Sequence, residues 1–232
     1  MTTLVLLPGM DGTGILFEPF LQALPPDLPV KVVAYPGHAP LSCEELESLV
    51  QTALPAQSPI VLLGESFSGP IAASLAAKLP GRVSGLILCC TFVQNPRPVL
   101  SVFKPLVNLI SPNLIPIRFT ARLLLGSFAT PGLRALLRTA LAGVSPSVLR
   151  TRLNAVVAVN ASAALAAVKV PVLYIQATQD KLVPSGAARL AMEACPAMKV
   201  ISLEGPHCLL QAMPAEAAAV VAAFVRDVES GC

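Results

Sequence analysis

Ser66 stands in a local pattern that suits nucleophilic chemistry. Residues 61–69 read VLLGESFSG, an apolar run that ends in the pattern G-x-S-x, with Ser68 rather than glycine in the fifth position. The full pattern, G-x-S-x-G, marks a sharp turn from strand to helix, which strains the serine backbone and lifts the hydroxyl out of the packing. A serine in an ordinary turn has the same local sequence. A catalytic interpretation therefore requires partners elsewhere in the chain.

A serine hydroxyl is a weak nucleophile unless a base lies within hydrogen-bond reach. The chain has only two histidines, His38 and His207. Each lies in a loop after a strand-like apolar run, which is where an open α/β sheet keeps its ligand site. We predict His207 as the base, because it comes last in chain order, between the last strand-like run and the last helix. For His38 we favour a turn histidine that anchors its loop by hydrogen bonds.

The base needs an acid that fixes its tautomer and stabilises its cation. Asp180 is one of four aspartates and lies just past the fifth strand-like run, VPVLYIQAT. Ser66, Asp180 and His207 therefore occur in the order serine, acid, histidine, each at the carboxyl end of a predicted strand. A turn residue or a helix cap is the weaker interpretation of Asp180. Glu204 is a possible substitute, but it lies too near His207 along the chain for side-by-side geometry.

Donors for an oxyanion are predicted at two backbone N–H groups. Phe67, the residue after the serine, supplies the first at the start of the following helix. The glycine-rich loop LPGMDGTG, residues 7–14, supplies the second, which we assign to Met10. Dinucleotide binding by this loop is disfavoured, because its glycines are spaced G-x-x-G-x-G and the second strand ends in Ala34-Tyr35 rather than in an acidic residue.

Six short apolar runs must position these residues: TLVLLPG, VKVVAYPG, PIVLLGES, SGLILCC, VPVLYIQAT and KVISLEG. They are near-continuous rather than alternating, which is typical of strands covered on both faces, as in a parallel sheet. Helical stretches lie between them, one of which has Ser42 and Glu45 at the spacing of a capping box. Strands alternating with helices predict an α/β fold with a minimal, mostly parallel sheet of about six strands and helices on both faces.

The alternation stops between about Gln94 and Val168, where helical patterns are broken by prolines and no clear strand is found. Many of the arginines lie in this stretch: Arg97, Arg118, Arg122, Arg134, Arg138, Arg150 and Arg152. We predict an α/β core formed by residues 1–93 and 169–232, and a helical cap insertion at residues 94–168, over one end of the sheet.

The composition argues against several classes of protein. Hydrophobic residues make up 54% of the 232 residues, yet no apolar run reaches the roughly 18 residues of a membrane-spanning helix. We therefore expect no transmembrane segment and, without a secretion signal at the N-terminus, a cytoplasmic location with reduced thiols. A net charge of +3 without a basic run argues against nucleic acid as a partner. We expect no metal site, a small-molecule partner, and a monomer or a homodimer.

Across essentially the whole chain, these motifs resemble the α/β-hydrolase superfamily. QDKLVP resembles its acid turn, and GPHCLLQAMP resembles its histidine turn, with Pro206 inserted and Gln211 in the acidic position. YPGHAPLS resembles a P-G-H-G-x-S turn, which supports a structural role for His38. The first strand matches the superfamily's third, so the sheet is minimal. The pair LPGMDGTG and GESFSG is similar to small bacterial esterase-like hydrolases and to the hydrolase part of plastid phytyl-ester-synthase-like acyltransferases.

The resemblance implies acyl transfer without a cofactor. In such a reaction Ser66 attacks a carboxylic ester, His207 takes its proton and Asp180 holds the imidazole. The Met10 and Phe67 N–H groups bind the oxyanion. A serine excludes the dehalogenase branch, which needs a carboxylate in that position. The expected substrate is a short- to medium-chain acyl ester, and the alternatives are an acyltransferase or thioesterase with the same residues, or a ligand-binding protein on the same fold.

Overall fold

The six predicted strands form one sheet in the computed structural model, which describes residues 1–56, 59–97 and 116–231. In chain order they are β1 (Thr3–Leu7), β2 (Val30–Val32), β3 (Ile60–Glu65), β4 (Val83–Cys89), β5 (Val172–Ala177) and β6 (Lys199–Leu203). The strand order is β2-β1-β3-β4-β5-β6, and each pairing between these strands is parallel. The predicted α/β fold with a minimal parallel sheet is therefore confirmed.

Both faces of the sheet are buried. On β1, Leu4 and Leu6 belong to one hydrophobic core, while Val5 and Leu7 belong to the core on the opposite face, because successive side chains of a strand point to opposite sides. All six residues of β3 are buried in the middle of the sheet. This double burial explains why the strands read as continuous apolar runs rather than as alternating patterns.

Helices cover the two faces. The described α-helices are α1 (Glu18–Ala23), α2 (Cys43–Ala53), α3 (Gly69–Lys78), α4 (Ile117–Leu124), α5 (Pro131–Ala142), α6 (Pro146–Ala158), α7 (Ser162–Ala167), α8 (Gly186–Ala194), α9 (Leu209–Ala212) and α10 (Pro214–Ser230). Phe20 of α1 and Val221 of α10 are buried in one core, and Leu46 of α2 and Ile71 of α3 in the other. None of the helices in the described ranges combines the length and the apolar character that crossing a membrane requires.

The start of α2 has the predicted capping box. Ser42 Oγ accepts a hydrogen bond from the Glu45 N–H at 3.2 Å, and Glu45 Oε2 accepts one from the Ser42 N–H at 2.7 Å. Each side chain thus satisfies a backbone donor that the first turn of a helix leaves without an intrahelical partner. The local sequence therefore sets where this helix begins.

Helices α4 to α7 fill the described part of the stretch between β4 and β5, where the sequence predicts an insertion. Residues 98–115 of the predicted cap lie outside the described residues. Leu137 of α5 shares a small hydrophobic core with Leu16, which follows β1, and with Cys208, which follows β6. This places α5 over the carboxyl ends of the strands. By contrast, Leu165 of α7 packs in the core of the sheet itself.

Candidate active site

The nucleophile candidate, Ser66, lies at the turn between β3 and α3. Its φ of 49° is left-handed, a conformation that strains a residue other than glycine. A short 3₁₀ turn, Ser66–Ser68, leads from it into α3. Small neighbours are required, since a Cβ on Gly64 would lie 2.7 Å from the Ser68 carbonyl oxygen. The predicted strained turn from strand to helix is thus confirmed.

The three predicted side chains meet at one edge of the sheet. Ser66 Oγ lies 2.8 Å from His207 Nε2, and His207 Nδ1 lies 2.8 Å from Asp180 Oδ2. An ionised carboxylate only accepts hydrogen bonds, so His207 Nδ1 donates to Asp180. The Nε2 atom is then left to accept from the serine hydroxyl. His207 is 5% exposed, so the imidazole is shielded from water while it faces the serine.

Asp180 is held by its own turn. It follows the end of β5 by three residues, and its Oδ1 accepts hydrogen bonds from the N–H groups of Leu182 and Val183, at 2.8 and 2.9 Å. The second oxygen, Oδ2, is thereby directed to His207. The alternative acid, Glu204, is exposed and accepts a hydrogen bond from Gln179 at 3.3 Å.

His38 lies outside the site. Its side chain is exposed in the turn after β2, and within the described ranges no hydrogen bond reaches its ring. The predicted anchoring of the turn by His38 is therefore wrong, because the ring points to solvent. The Gly37 carbonyl anchors the turn instead, by accepting a hydrogen bond from the Ser145 N–H at 2.8 Å. This bond joins the turn to the residue that begins α6.

Both predicted oxyanion donors lie beside Ser66. Phe67 follows the serine in the 3₁₀ turn. Met10 lies in the loop after β1, which approaches so closely that a Cβ on Gly9 would be 3.7 Å from the Ser66 Cβ. Among the turn and loop hydrogen bonds of the described residues, neither the Met10 nor the Phe67 N–H is a donor. Their use in binding an oxyanion stays a prediction.

Glu65 and Gln211 form a buried polar pair beside the serine that the sequence analysis did not identify. Glu65 is 5% exposed, and its Oε1 accepts a hydrogen bond from Gln211 Nε2 at 3.0 Å. Burial raises the pKa of Glu65 to about 7; the Gln211 hydrogen bond and His207 lower this pKa, while Asp11 raises it. The carboxyl group is therefore partly protonated near neutral pH. A charged residue type at the end of a buried strand was the signal for this pair, since such a group needs a partner.

A cavity of about 540 Å³ opens onto the serine. Ser66 and His207 form part of its wall, together with the carboxyl-bearing residues Asp11 and Glu65. Leucines of α4, α5 and α6 supply much of the remainder: Leu123, Leu124, Leu137, Leu141, Leu149 and Leu153. The cavity can therefore hold an apolar group next to the serine hydroxyl.

The acidic residues of the cavity wall have protein partners. Asp11 Oδ2 accepts hydrogen bonds from the Thr13 N–H and hydroxyl, at 2.9 and 2.6 Å, and Glu65 is bonded to Gln211. In the part of the chain that the structure describes, no group of three or more histidine, cysteine, aspartate or glutamate side chains is arranged to hold a metal ion.

Comparisons with known proteins place the chain in a family. The model of the alpha/beta hydrolase family matches residues 4–220. The chain is similar to the biotin biosynthesis bifunctional protein BioHC of Cellvibrio japonicus, with 31% identity over 201 residues, which cover 80% of this chain and 39% of that protein. The chain thus spans about two fifths of the length of this curated relative.

Solved structures share the fold at low sequence identity. A hydrolase from Oleispira antarctica is 17% identical, with a TM-score of 0.80, and covers 97% of this chain and 91% of its own. A lipase-esterase related protein from Clostridium acetobutylicum is 17% identical, with a TM-score of 0.81, and the match covers 96% of this chain and 94% of that protein. An esterase from Thermogutta terrifontis is 18% identical, with a TM-score of 0.80, and the match covers 98% of this chain and 89% of that protein. With the family model, these findings show that the chain belongs to the alpha/beta hydrolase family.

Proposed function

We propose that the chain is a carboxylic ester hydrolase that works through an acyl-enzyme intermediate. One observation carries the proposal: two successive hydrogen bonds of 2.8 Å join Ser66 Oγ to His207 and His207 to Asp180. Serine is the nucleophile in this scheme, His207 the general base and Asp180 the residue that orients the imidazole. A binding protein has no need of this proton-transfer geometry at a strained serine.

The reaction runs in two halves. Ser66 Oγ bonds to the ester carbonyl carbon while its proton passes to His207 Nε2. The C–O bond to the alcohol then breaks, and the departing oxygen takes the proton from His207, which leaves an acyl group on Ser66. A water molecule next attacks the acyl carbon and gives its proton to His207. The carboxylic acid departs when the C–O bond to Ser66 breaks and His207 returns the proton to the serine oxygen.

The tetrahedral intermediate of each half-reaction carries a negative charge on the former carbonyl oxygen. The Met10 and Phe67 N–H groups are the proposed donors to this oxygen, since both lie beside Ser66 and neither donates in the described turn and loop hydrogen bonds. Removal of one such donor typically lowers kcat by about 10²- to 10³-fold.

The proposed substrate is an ester with a short- to medium-chain acyl group. The cavity of about 540 Å³ has a wall rich in leucine and includes Ser66 and His207. We propose that residues 94–168 act as a cap, because α4, α5 and α6 supply these leucines. When the apolar acyl chain of the substrate lies between the cap helices, its ester group lies next to Ser66.

A fluorophosphonate probe, combined with chromogenic esters from acetate to laurate, tests this function. The wild-type protein should be labelled and should release the chromophore, whereas Ser66→Ala should do neither. Ser127→Ala, which changes an exposed serine of the predicted cap, serves as the matched control and should behave as wild type. Labelling that persists in Ser66→Ala places the reactive group elsewhere. Absence of both labelling and turnover in the wild type favours a ligand-binding protein, and ester products that appear when an alcohol is added favour an acyltransferase.

A further inference from the structure

The loop that carries Met10 has every carbonyl from residue 8 to residue 11 engaged by a donor. The donors come from three parts of the chain: the turn after Ser66, the loop itself and helix α6. The bonds are Ser68 Oγ to Pro8 O, Gly12 N to Gly9 O at 3.1 Å, and Arg152 Nη1 to Met10 O at 2.9 Å and to Asp11 O at 2.8 Å. The loop backbone is therefore held by a hydrogen bond at each residue from Pro8 to Asp11.

These hydrogen bonds set the direction of the Met10 N–H group. The Met10 nitrogen and the Gly9 carbonyl belong to the same peptide unit, which is planar and trans, so the N–H and the C=O point in opposite directions. The Gly9 carbonyl is directed to the Gly12 N–H. The Met10 N–H is consequently held on the opposite side of the peptide plane, and it keeps this direction only while the turn from Gly9 to Gly12 keeps its shape.

Arg152 holds that turn from outside. The side chain reaches in from α6, is 2% exposed, and also donates from Nη2 to the Pro36 carbonyl at 3.2 Å. The guanidinium carbon lies 5.6 Å from the centre of the Tyr35 ring. Gly12, with φ of 72°, packs directly on it, since a Cβ there would lie 2.4 Å from Nη1. A planar guanidinium donates hydrogen bonds to several carbonyls at once, and a lysine ammonium in the same place does not reproduce this geometry.

Ser68 holds the other end of the loop. Its hydroxyl hydrogen goes to the Pro8 carbonyl, so the Tyr35 hydroxyl, 2.7 Å away, must be the donor to Ser68 Oγ. Burial raises the pKa of Tyr35, so this hydroxyl stays protonated. Ser68 also lies in the same 3₁₀ turn as Phe67. It therefore connects the segment with one proposed oxyanion donor to the loop with the other.

We infer that Arg152 and the Tyr35–Ser68 pair are positioning residues that set the distance and direction between the Met10 and Phe67 N–H groups. The inference rests on the proposed ester hydrolysis. Ser68, which replaces the glycine of the G-x-S-x-G pattern, thereby has a role of its own. Helix α6 of the predicted cap, which carries Arg152, supports the oxyanion site. None of the three side chains needs to touch the substrate.

The test compares Ser68→Gly, Tyr35→Phe, Arg152→Met and Arg152→Lys, with Arg226→Met, an exposed arginine of α10, as the control. Rates are expressed per active site titrated with the fluorophosphonate probe, so misfolded protein does not count. We expect kcat to fall about 10- to 100-fold, less than the loss of a whole donor, with KM within about threefold. Arg152→Lys should lose as much kcat as Arg152→Met, and Arg226→Met should match wild type.

A second measurement separates positioning from a merely structural role. An alkyl boronic acid, which adds to the serine as a tetrahedral anion, should bind more weakly in each variant by the same factor as kcat/KM falls. The corresponding alcohol, which forms no anion, should bind unchanged. Variants that lose only thermal stability, with wild-type kcat per titrated site and wild-type boronic acid affinity, would overturn the inference. Full rescue by lysine would overturn the part assigned to Arg152. A wild-type protein without labelling or turnover would instead remove the proposed function.

Discussion

At the scale of single residues, Asp180 combines two tasks. Oδ1 accepts hydrogen bonds from the Leu182 and Val183 N–H groups, while Oδ2 accepts from His207. An asparagine keeps an oxygen for the two backbone donors. Its NH₂ group, however, cannot accept from the imidazole, so His207 would be driven toward the tautomer that has no lone pair for the serine proton.

We therefore expect Asp180→Asn to fold normally and to lose about 10⁴-fold in kcat. The change is measured with a chromogenic ester, and the thermal midpoint of the variant is compared with that of wild type. Asp27→Asn, at an exposed position, controls for the change of charge. Near-normal turnover of Asp180→Asn would show that another group orients the base.

Glu65 makes the stability of the protein depend on pH. Its pKa in the folded state is about 7, compared with an ordinary value of 4.5, because burial disfavours the charged form. The unfolded chain therefore releases this proton at lower pH than the native protein does. The contribution of Glu65 to the free energy of unfolding is fully present below about pH 4.5 and is lost as the pH rises to about 7.

The matching variant is Glu65→Gln, which cannot ionise and can keep a hydrogen bond to Gln211. Between pH 4.5 and pH 7, the unfolding free energy of wild type should fall relative to that of Glu65→Gln by up to about 3 kcal/mol. Urea unfolding at a series of pH values measures the difference. Glu18→Gln, on the exposed side of α1, should follow the wild-type curve. Parallel curves for wild type and Glu65→Gln would show that Glu65 ionises normally in the folded protein.

At the scale of elements, helix α5 places some side chains against the cavity and others in solvent. Leu137 and Leu141 line the cavity, whereas Ala135 is exposed. The helix begins with a cap in which Thr130 Oγ1 accepts a hydrogen bond from the Leu133 N–H at 3.2 Å. Leu137 also packs with Leu16 and Cys208, which holds the helix against the segments after β1 and β6, so a larger side chain on the cavity side reduces the space for the substrate.

Leu141→Trp should therefore change the preferred chain length. We expect kcat/KM for the laurate ester to fall by about tenfold or more relative to that for acetate, because one methylene in a filled apolar pocket already changes specificity by this order. Ala135→Trp adds the same side chain on the exposed side and should leave the profile unchanged. Equal profiles for all three proteins would exclude the cavity as the acyl site.

The elements also show what the sequence alone can predict. The strands and the order of Ser66, Asp180 and His207 were predictable, because buried runs and strand ends are local signals and parallel strands share one carboxyl edge. The Arg152 contacts to the loop and the Glu65–Gln211 pair were not, because no strand end or motif marks these distant residues as neighbours, as it does for Ser66 and His207, which are equally far apart in the chain. Local periodicity does not encode such pairings. The same limit explains His38, whose motif indicates a turn but not which atom anchors it.

At the scale of the whole molecule, charge is divided unevenly. Residues 94–168 contain eight lysines and arginines and no acidic residue, whereas the rest of the chain contains the other eight cations and all 13 acidic residues. Arg118, Arg122, Arg134 and Arg138 are exposed, and none of them is in an ion pair within the described residues. Arg138 also borders the cavity. The predicted cap therefore carries an excess of positive charge, which gives it a positive potential, and Arg138 brings part of this charge to the cavity, although the chain as a whole is nearly neutral.

This potential should favour anionic esters in a salt-dependent way. We compare an ester whose acyl chain ends in a carboxylate with its methyl-ended isostere. From about 0.01 to 1 M salt, the screening length falls from about 30 to 3 Å, so kcat/KM for the anionic ester should fall by about tenfold relative to that for the neutral one. The double variant Arg118→Gln/Arg122→Gln should flatten this dependence. Lys199→Gln/Arg226→Gln, which removes two exposed cations outside the predicted cap, should not. If both esters respond equally to salt, the cap arginines do not steer the substrate, and their charge serves another purpose.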